Sequence, residues 1–152
     1  MSEEKKIKVV LLEPGKLART AEIGTSIEDL QNAVDGLIEP FYPFEEQVCI
    51  VCNDEGKING MLPNRSVKNK DGVMVDFIFG PAFICDCRGE SFDSLSDEQI
   101  ARYTKMFRYP EHLARVNDTL LGIPYRPQPE QEAGLRLTAI GESSDRGPSR
   151  AP

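Results

Sequence analysis

"QVCIVCN", residues 47–53, is the clearest buried strand of the sequence. A short apolar run that is rich in β-branched residues is typical of a strand inside a sheet. A second long run, "VDFIFGPAFICDC" (75–87), predicts two strands or one bent strand, because Gly80-Pro81 interrupts it. We therefore expect the apolar runs to pair in one sheet at the centre of the fold.

The segments that precede residue 47 predict three further strands. "LIEPFYPF" (37–44) is strand-like but contains two prolines, so it predicts at most an edge strand. "IKVVLL" (7–12) is a short apolar run, and "LARTAEI" (17–23) roughly alternates apolar and polar residues. Between them "EPGK" (13–16) has the proline and glycine of a tight turn, which predicts a hairpin at the start of the chain.

Two segments carry the start signals of helices, and a third is compatible with a helix. Thr25 and Glu28 form a capping box for the first helix, which Gly36 would end. Ser96 and Gln99 form a capping box for the second helix, within "LSDEQIARYTKMF". The predicted inward faces are Ile27, Leu30 and Val34 in the first helix, Ile100, Tyr103 and Phe107 in the second, and Leu113, Val116 and Leu120 in a possible helix that begins near Pro110.

The connecting segments and the end of the chain predict irregular structure. "NDEGK" (53–57) has the turn chemistry of a hairpin into "INGML" (58–62), and residues 64–75 predict a loop that enters a strand. Residues 126–152 hold four Pro, three Gly and three Ser, which favours a flexible, disordered tail. Within this tail "LRLTAI" (135–140) is compatible with a short docking strand.

Together these patterns predict an α+β fold, with a mostly antiparallel sheet of about five or six strands and two or three helices. We expect it within residues 1–125 as a single globular domain, because 152 residues are enough for one core and hardly for two. No apolar run approaches the roughly 20 residues of a membrane helix. The start, "MSEEKKIKVV", lacks the features of a leader peptide, so we expect a cytoplasmic protein with no membrane association.

The net charge of −7 lies entirely on residues 1–125, because residues 126–152 contain four basic and four acidic side chains. An acidic body disfavours direct nucleic-acid binding, since affinity for phosphate comes largely from Lys and Arg. It is compatible with mimicry of DNA toward a DNA-binding protein or, more simply, with the solubility of a small domain. Charge alone favours the simpler interpretation.

Four cysteines, in the pairs Cys49-x-x-Cys52 and Cys85-x-Cys87, raise the question of a zinc site. Four thiolates bind zinc when each C-x-x-C pair turns both sulfurs toward one metal. In a strand, residues three apart point to opposite faces, so Cys49 and Cys52 would point apart. We therefore expect core cysteines without a metal or cofactor, and no disulfide in a cytosolic chain. His112, the only histidine, is expected on the surface of a helix and not as a catalytic base.

The polar segment "NDEGKINGMLPNR", which starts at Asn53, is the candidate binding site. Its first residues have turn chemistry, whereas Asn64 and Arg65 follow a proline where no periodic pattern predicts a helix or strand. The planar guanidinium of Arg65 suits a carboxylate or a phosphate. We expect a partner to contact Asn53, Asn64 and Arg65, with Lys57 and with Lys16 from the first turn. The alternative is that Arg65 pairs with a carboxylate of the body and that Asn64 caps a turn.

The order of these segments resembles a bacterial family. "VVLLEPGK", "SIEDLQNAVDGLIE", "VCIVCNDEGKINGMLPNR", "FIFGPAFI" and "FDSLSDEQIARYTKMF" resemble a domain of unknown function found in phages, plasmids and conjugative elements, often beside anti-restriction modules. The resemblance covers about residues 6–108, and the block that ends in Pro63-Asn64-Arg65 is its most specific part. It implies a mobile-element context and supplies no mechanism, because the family has no established activity.

These observations predict a non-catalytic accessory binding module of a phage or mobile element. Its partner would be a host-encoded or element-encoded protein, in counter-defence or in regulation. No catalytic arrangement stands out in the sequence, which leaves an enzyme unsupported. Two alternatives remain open: an acidic DNA mimic that inhibits a DNA-binding protein, and a protein that binds a small ligand or nucleotide.

Overall fold

The computed structural model describes residues 5–127, which form nine strands and two helices. In chain order the elements are β1 (Lys6–Leu12), β2 (Arg19–Gly24), α1 (Ile27–Val34), β3 (Ile38–Phe41), β4 (Val48–Asn53), β5 (Pro63–Lys68), β6 (Met74–Phe79), β7 (Ala82–Asp86), α2 (Asp97–Met106), β8 (Glu111–Val116) and β9 (Thr119–Pro124). The predicted α+β fold is confirmed, with five strands in the main sheet and two-stranded sheets formed by β5–β6 and β8–β9.

The main sheet has the strand order β2-β1-β7-β4-β3, and all neighbouring strands in it are antiparallel. The two apolar runs supply its inner strands β4 and β7, in which Cys49 lies opposite Cys85. Gly80, with a φ of 83°, bends the second run between β6 and β7. The proline-containing segment forms β3 at the edge of the sheet, as predicted.

The main sheet is the middle layer of the fold, because its side chains alternate between two cores. One core includes Leu30 and Val34 of α1, and the other includes Tyr103 and Phe107 of α2 and Val67 of β5. The sheet contributes Ile7, Val9, Cys49, Val51, Phe83 and Cys85 to the first core, and Val10, Leu12, Val48, Ile50, Ala82 and Ile84 to the second.

Helix α1 begins one residue later than predicted. The Ser26 side chain accepts a hydrogen bond at 3.0 Å from a backbone N–H of the first turn, so Ser26 is the N-cap and Thr25 is not. Ile27, which was expected to face inward, is 58% exposed, whereas Leu30 and Val34 are buried as predicted. Ile27 is the first residue of α1 and lies outside the part of the helix that packs against the core.

Helix α2 begins as the sequence predicts. Ser96 Oγ accepts a hydrogen bond from the Gln99 N–H at 3.1 Å, and Gln99 Oε1 accepts one from the Ser96 N–H at 2.9 Å. Tyr103 and Phe107 are buried on its inner side, and Ile100 packs partly against the same core. The capping box and the apolar spacing are therefore both confirmed.

The prediction for the segment after β4 is wrong. Residues 58–62, expected as a strand, lie outside the strands, and β5 (Pro63–Lys68) covers the first part of the segment 64–75 that was expected to be a loop entering a strand. β5 pairs with β6, and its register is irregular after Pro63 and after Val67. Asn64 and Arg65 are polar and yet buried, which removes the apolar alternation by which strands are predicted.

The helix expected near Pro110 is instead the β8–β9 hairpin. Val116 pairs with Thr119, which leaves Asn117 and Asp118 as a two-residue turn. Both turn residues have positive φ, of 52° and 68°, as in a type I′ hairpin turn. Asn and Asp accept this backbone conformation more readily than other non-glycine residues.

The predicted disordered tail covers residues 126–152, of which Arg126 and Pro127 belong to the described part of the chain. The docking strand considered at 135–140 lies outside the described residues. Neither helix within residues 5–127 is long and apolar enough to cross a membrane.

Candidate functional site

Arg65 is buried, and each N–H group of its guanidinium has an oxygen acceptor. Four of the acceptors are backbone carbonyls: those of Phe107 (2.7 Å from Nε), Glu13 (3.2 Å from Nη1), Lys16 (2.6 Å from Nη2) and Arg108 (3.4 Å from Nη2). The fifth is the side-chain oxygen of Asn64, which accepts a hydrogen bond from Nη1. A guanidinium has five N–H donors, so these five acceptors satisfy it completely.

The charge of Arg65 faces backbone oxygens, and within residues 5–127 no carboxylate forms an ion pair with it. Burial lowers the pKa of Arg65 to about 10, which still leaves the side chain charged at neutral pH. Two of its acceptors, the carbonyls of Phe107 and Arg108, follow directly after α2. The negative end of the helix dipole lies there and favours a cation.

Asn64 extends the same set of hydrogen bonds. Its Nδ2 donates to the carbonyls of Leu12 at 3.0 Å and of Gly80 at 2.8 Å, and its Oδ1 accepts from Arg65. We call Asn64 and Arg65 the Asn-Arg clamp. The clamp joins β5 to the end of β1, to the β1–β2 turn, to the β6–β7 bend and to the end of α2.

The structure therefore corrects the expectation that Asn64 and Arg65 lie on an exposed segment. Asn64 is 0% exposed and Arg65 is 1% exposed, and their donors are used within the fold. Among the described residues Arg65 contacts carbonyls and the Asn64 amide in place of the carboxylate that the alternative interpretation expected, whereas Asn64 donates to carbonyls next to the β1–β2 turn and at the β6–β7 bend. The physical role of both side chains is to hold distant parts of the chain together.

Asn53 also has a structural position. Its Nδ2 donates to the carbonyls of Val34 at 3.1 Å and Asp35 at 3.0 Å, and its Oδ1 accepts from the Glu55 N–H at 2.7 Å. It thereby satisfies carbonyls at the C-terminal end of α1. Gly36 passes close to the Asn53 amide, so a side chain at position 36 would collide with it.

Lys16 and Lys57 do not converge with the clamp through their ammonium groups. Lys16 Nζ lies 3.9 Å from Glu13 Oε1 in the β1–β2 turn, although the backbone carbonyl of Lys16 accepts from Arg65. Lys57 Nζ lies 2.9 Å from Asp76 Oδ1, and Lys57 borders a cleft of about 220 Å³ whose lining residues include neither Asn64 nor Arg65. The five predicted residues thus form no common surface.

A groove of about 710 Å³ lies beside α2, between residues 43–46 and the β5–β6 hairpin. We call it the α2 groove. Its lining residues are Pro43, Phe44, Glu45, Glu46, Ser66, Lys68, Asn69, Lys70, Gly72, Arg102, Tyr103, Met106, Phe107 and Glu111. Its volume falls within the roughly 300–1,000 Å³ typical of ligand pockets.

The floor of the α2 groove is apolar and aromatic. The Phe44 ring centroid lies 4.8 Å from that of Tyr103 and 6.2 Å from that of Phe107. These rings pack against the core, which fixes their positions. Met106 lies beside them and is 57% exposed, so a large flexible apolar side chain remains available at the surface.

One wall of the groove is held by a hydrogen-bonded carboxylate. Glu46 accepts hydrogen bonds from Arg102 Nη2 at 2.9 Å, from Gln99 Nε2 at 3.1 Å and from the Tyr103 hydroxyl. The hydrogen bond from Tyr103 lowers the pKa of Glu46, and burial raises the pKa of Tyr103. At neutral pH Glu46 is therefore ionised and Tyr103 keeps its proton.

The opposite wall is held by Glu111 of β8. Glu111 Oε1 accepts from the Ser66 N–H at 2.9 Å and from the Ser66 hydroxyl at 2.6 Å, and Lys68 Nζ lies 3.9 Å from Oε2. Gly122 of β9 lies against this pair, and a Cβ there would be 2.9 Å from Ser66 Oγ. Glycine at this position lets the hairpin approach β5.

Residues 7–108 match the model of a family described as a domain of unknown function, DUF3846. The matched segment is more than half of the chain and contains all elements from β1 to α2. The chain belongs to the DUF3846 family. The resemblance to a family of unknown function is confirmed over nearly the residues expected for it. No curated protein and no solved structure matches the chain.

The α2 groove lies at the boundary of the DUF3846 segment. Most of its lining residues belong to the matched residues 7–108, but Glu111 follows them. The Asn-Arg clamp and all of its acceptors, which extend to Arg108, lie inside the DUF3846 segment. The family fold therefore contains the clamp, whereas the groove also depends on the hairpin that follows.

The cysteines of the DUF3846 segment lie in the two cores. Cys49 Sγ and Cys85 Sγ are 3.8 Å apart on neighbouring strands, and Cys52 packs against the opposite core, as strand alternation predicts. All four cysteines are free thiols, and burial raises the pKa of Cys52 to about 11. In the described residues no group of three or more His, Cys, Asp or Glu is placed to hold a metal ion.

His112 lies on β8 rather than on a helix. Its ring stacks on Tyr125, with the ring centroids 4.0 Å apart and the planes at 13°. His112 is not among the residues that line the α2 groove. The stacking gives His112 a contact between β8 and the segment that follows β9.

Sequence reasoning missed the α2 groove as a site. Tyr103 and Phe107 were predicted as core residues, which they are, and nothing in their spacing shows that a cavity opens beside them. The available signal is "PFEE" (43–46), an aromatic residue between a proline and two carboxylates, which follows the edge strand β3. This segment lines a groove only because it contacts α2, whose residues are more than 50 positions away along the chain.

Proposed function

We propose that this chain is a non-catalytic accessory binding module of a phage or other mobile element, and that it binds a protein partner through the α2 groove. The observation that carries the proposal is the groove itself, with its aromatic floor, exposed Met106 and charged rim. Protein-binding sites combine an apolar centre with a polar rim in this way. The mobile-element context comes from the family resemblance, and a host-encoded or element-encoded partner in counter-defence or regulation is consistent with it.

The apolar floor supplies the affinity in this proposal. An apolar side chain of the partner would cover Met106 and Phe44 and remove them from water. Full burial of a side chain of this size contributes about 1.5–3 kcal/mol. Methionine adapts its shape to its neighbour, which suits a surface that must accommodate another chain.

The state of the polar groups supports binding more than catalysis. A general acid at neutral pH needs a carboxyl with a raised pKa, whereas Tyr103 lowers the pKa of Glu46. Glu111 is likewise held by hydrogen bonds from Ser66. Both carboxylates are therefore engaged in fixing the walls of the groove.

Capture of a partner by two matched variants tests the proposal. Met106→Glu places a charge in the groove, and Ile27→Glu places one on α1, which packs on the opposite face of the sheet; the two side chains are 57% and 58% exposed. We expect wild type and Ile27→Glu to capture the same partner from a host lysate and Met106→Glu to lose it, as measured by quantitative mass spectrometry. Equal capture by Met106→Glu would contradict the assignment to the groove.

A second candidate function is the binding of a small ligand or nucleotide in the same groove. The volume of about 710 Å³ favours it, because it matches that of pockets for small molecules. A thermal-shift screen of nucleotides tests it, since a ligand at about one hundred times its Kd adds about 2.7 kcal/mol of stability. A shift that Met106→Glu abolishes would favour this function over protein binding.

A further inference from the structure

The rim of the α2 groove has more free hydrogen-bond donors than free acceptors. Glu46 accepts from three side chains, and Glu111 accepts twice from Ser66 and lies 3.9 Å from Lys68. A carboxylate has about four lone-pair sites, so Glu46 has little capacity left, and the Glu111 side chain is only 12% exposed. Among the lining carboxylates, Glu45 retains free acceptors, and it lies 3.5 Å from Lys70.

The cations of the rim are used much less. Arg102 donates one hydrogen bond through Nη2, Lys68 donates to Ser66 Oγ at 3.0 Å, and Lys70 contacts Glu45 at 3.5 Å. A guanidinium has five N–H donors and an ammonium has three, so most of these donors remain free. All three side chains are substantially exposed, which leaves them accessible to a ligand.

The free donors stand on both sides of the apolar floor. Lys68 and Lys70 belong to β5 and the turn that follows it, whereas Arg102 belongs to α2. Met106 is one helical turn after Arg102 and exposes its side chain between these elements. A ligand in the groove would therefore meet an apolar surface flanked by three cations, each of which contacts one rim carboxylate and keeps further N–H donors free.

From this arrangement we infer that the groove takes an acidic peptide segment, with an apolar side chain on Met106 and Phe44 and carboxylates at Lys68, Lys70 and Arg102. The inference rests on the proposed function, since it names the chemistry of the partner for the same groove. The free hydrogen-bonding capacity of the rim favours this occupant: a basic segment would find free acceptors mainly on Glu45, whereas the carboxylates of an acidic segment would accept from the free donors of Lys68, Lys70 and Arg102.

The charge of the whole protein sharpens this inference. A net charge of −7 repels acidic peptides in general, so nonspecific attraction cannot produce the preference. The preference for acidic peptides must therefore come from short-range contacts with the side chains of the rim. Higher salt is expected to weaken the contribution of these exposed charges.

A peptide library with a fixed leucine and randomised flanking residues tests the inference on the full-length chain. We expect the bound peptides to be enriched in Asp and Glu beside the leucine. The variant Lys68→Glu/Lys70→Glu should bind the selected acidic peptides about tenfold or more weakly, as measured by fluorescence polarisation. The matched control is Lys5→Glu/Lys57→Glu, which changes the net charge equally at two exposed ion pairs away from the groove and should bind nearly as wild type does.

The outcomes separate this inference from the proposed function. Peptides that lose binding with Met106→Glu but show no acidic preference would overturn the acidic segment and leave the groove as a binding site. Equal weakening by both lysine pairs would also overturn it, because the effect would then come from net charge. If no peptide bound in a Met106-dependent manner, both proposals would fail.

Discussion

Arg65 shows how a buried cation is held by backbone carbonyls and one side-chain amide. Its five donors reach four backbone carbonyls and one amide oxygen, and two of the carbonyls follow the end of α2. A lysine could not replace it, because three ammonium donors cannot satisfy five acceptors in these directions. The planar guanidinium is what allows one side chain to join the β1–β2 turn to α2.

Replacement of Arg65 should destabilise the protein strongly. Arg65→Ala leaves several buried carbonyls without a partner, and we expect a loss of about 3–5 kcal/mol in the free energy of unfolding. Arg65→Lys keeps the charge with fewer donors and should lose less than Arg65→Ala. Urea denaturation measures both effects.

Arg19→Ala is the control for this prediction. Arg19 Nη2 forms an exposed ion pair with Glu13 Oε1 at 3.2 Å, so its loss should cost about 1 kcal/mol or less. If Arg65→Ala were no more destabilising than Arg19→Ala, the clamp would not have the structural role that its hydrogen bonds indicate.

The sequence identified Asn64 and Arg65 as special but placed them on the surface. Side-chain donors can be read from a sequence. Apart from Asn64, however, the acceptors of Arg65 are backbone oxygens that lie 42 to 52 positions away along the chain. Every residue except proline has the same backbone groups, so no pattern marks those that will be used. The sequence therefore predicts that these two residues are distinctive, but it does not predict that they are buried.

Among the secondary-structure elements, those with strong local signals were predicted well. The apolar runs gave β1, β4 and β7, and the Ser96–Gln99 capping box gave the start of α2. Helix α1 shows the limit of such signals, because Thr25 and Ser26 are both good N-cap residues. Tertiary packing of Leu30 and Val34 is consistent with the cap at Ser26 and with the exposure of Ile27.

The sequence predicted a helix where the β8–β9 hairpin lies, because two patterns overlap in this segment. Leu113, Val116 and Leu120 have helical spacing, and the two-residue turn Asn117-Asp118 was not recognised. The hairpin leaves large parts of these side chains exposed, so burial does not reveal a period of two. Its contacts to β5, through Glu111 and Ser66, cannot be seen from either segment alone.

A substitution at Gly122 tests the docking of this hairpin. A Cβ in Gly122→Ala would meet Ser66 Oγ at 2.9 Å and press on the Glu111 carboxylate, so the hairpin should move away from β5. We expect a loss of about 1–3 kcal/mol in the free energy of unfolding. Faster hydrogen exchange at the Ser66 amide should accompany it, because this N–H donates to Glu111.

Gly89→Ala is the matched control for Gly122→Ala. Gly89 has open space around the position of a Cβ, so its substitution should change stability by about 0.5 kcal/mol or less. Unchanged exchange at Ser66 in Gly122→Ala would contradict close docking of β9 on β5.

For the whole molecule, the α2 groove couples stability to pH through Glu46. The hydrogen bond from Tyr103 lowers the pKa of Glu46 below its ordinary value of 4.5, so the folded state binds the proton less readily than the unfolded state. This contribution to stability is fully present above the unfolded pKa and is lost as the pH falls through the folded pKa. Acid should therefore loosen the wall that residues 43–46 form against α2.

The variant Glu46→Gln isolates this contribution. At neutral pH we expect it to be less stable than wild type by about 1 kcal/mol, a modest value because Glu46 is partly exposed. The difference should shrink at about pH 3, where most carboxylates are protonated. Denaturant unfolding at both pH values measures it.

Glu45→Gln is the control for the pH experiment, because Glu45 is far more exposed and contacts Lys70 at 3.5 Å. Its stability difference from wild type should stay small at both pH values. A Glu46→Gln difference that grew on acidification would reverse the sign derived from the lowered pKa.

The family match ends at Arg108, and the groove takes its walls from both sides of that boundary. The main sheet, both helices and the clamp lie in the matched segment, while Glu111 comes from the β8–β9 hairpin that follows it and hydrogen-bonds to β5. A relative that kept the matched segment and exchanged this hairpin would inherit the same architecture with a different wall. The binding preference of the proposed site could then differ between such relatives while the buried core on which folding depends stays the same.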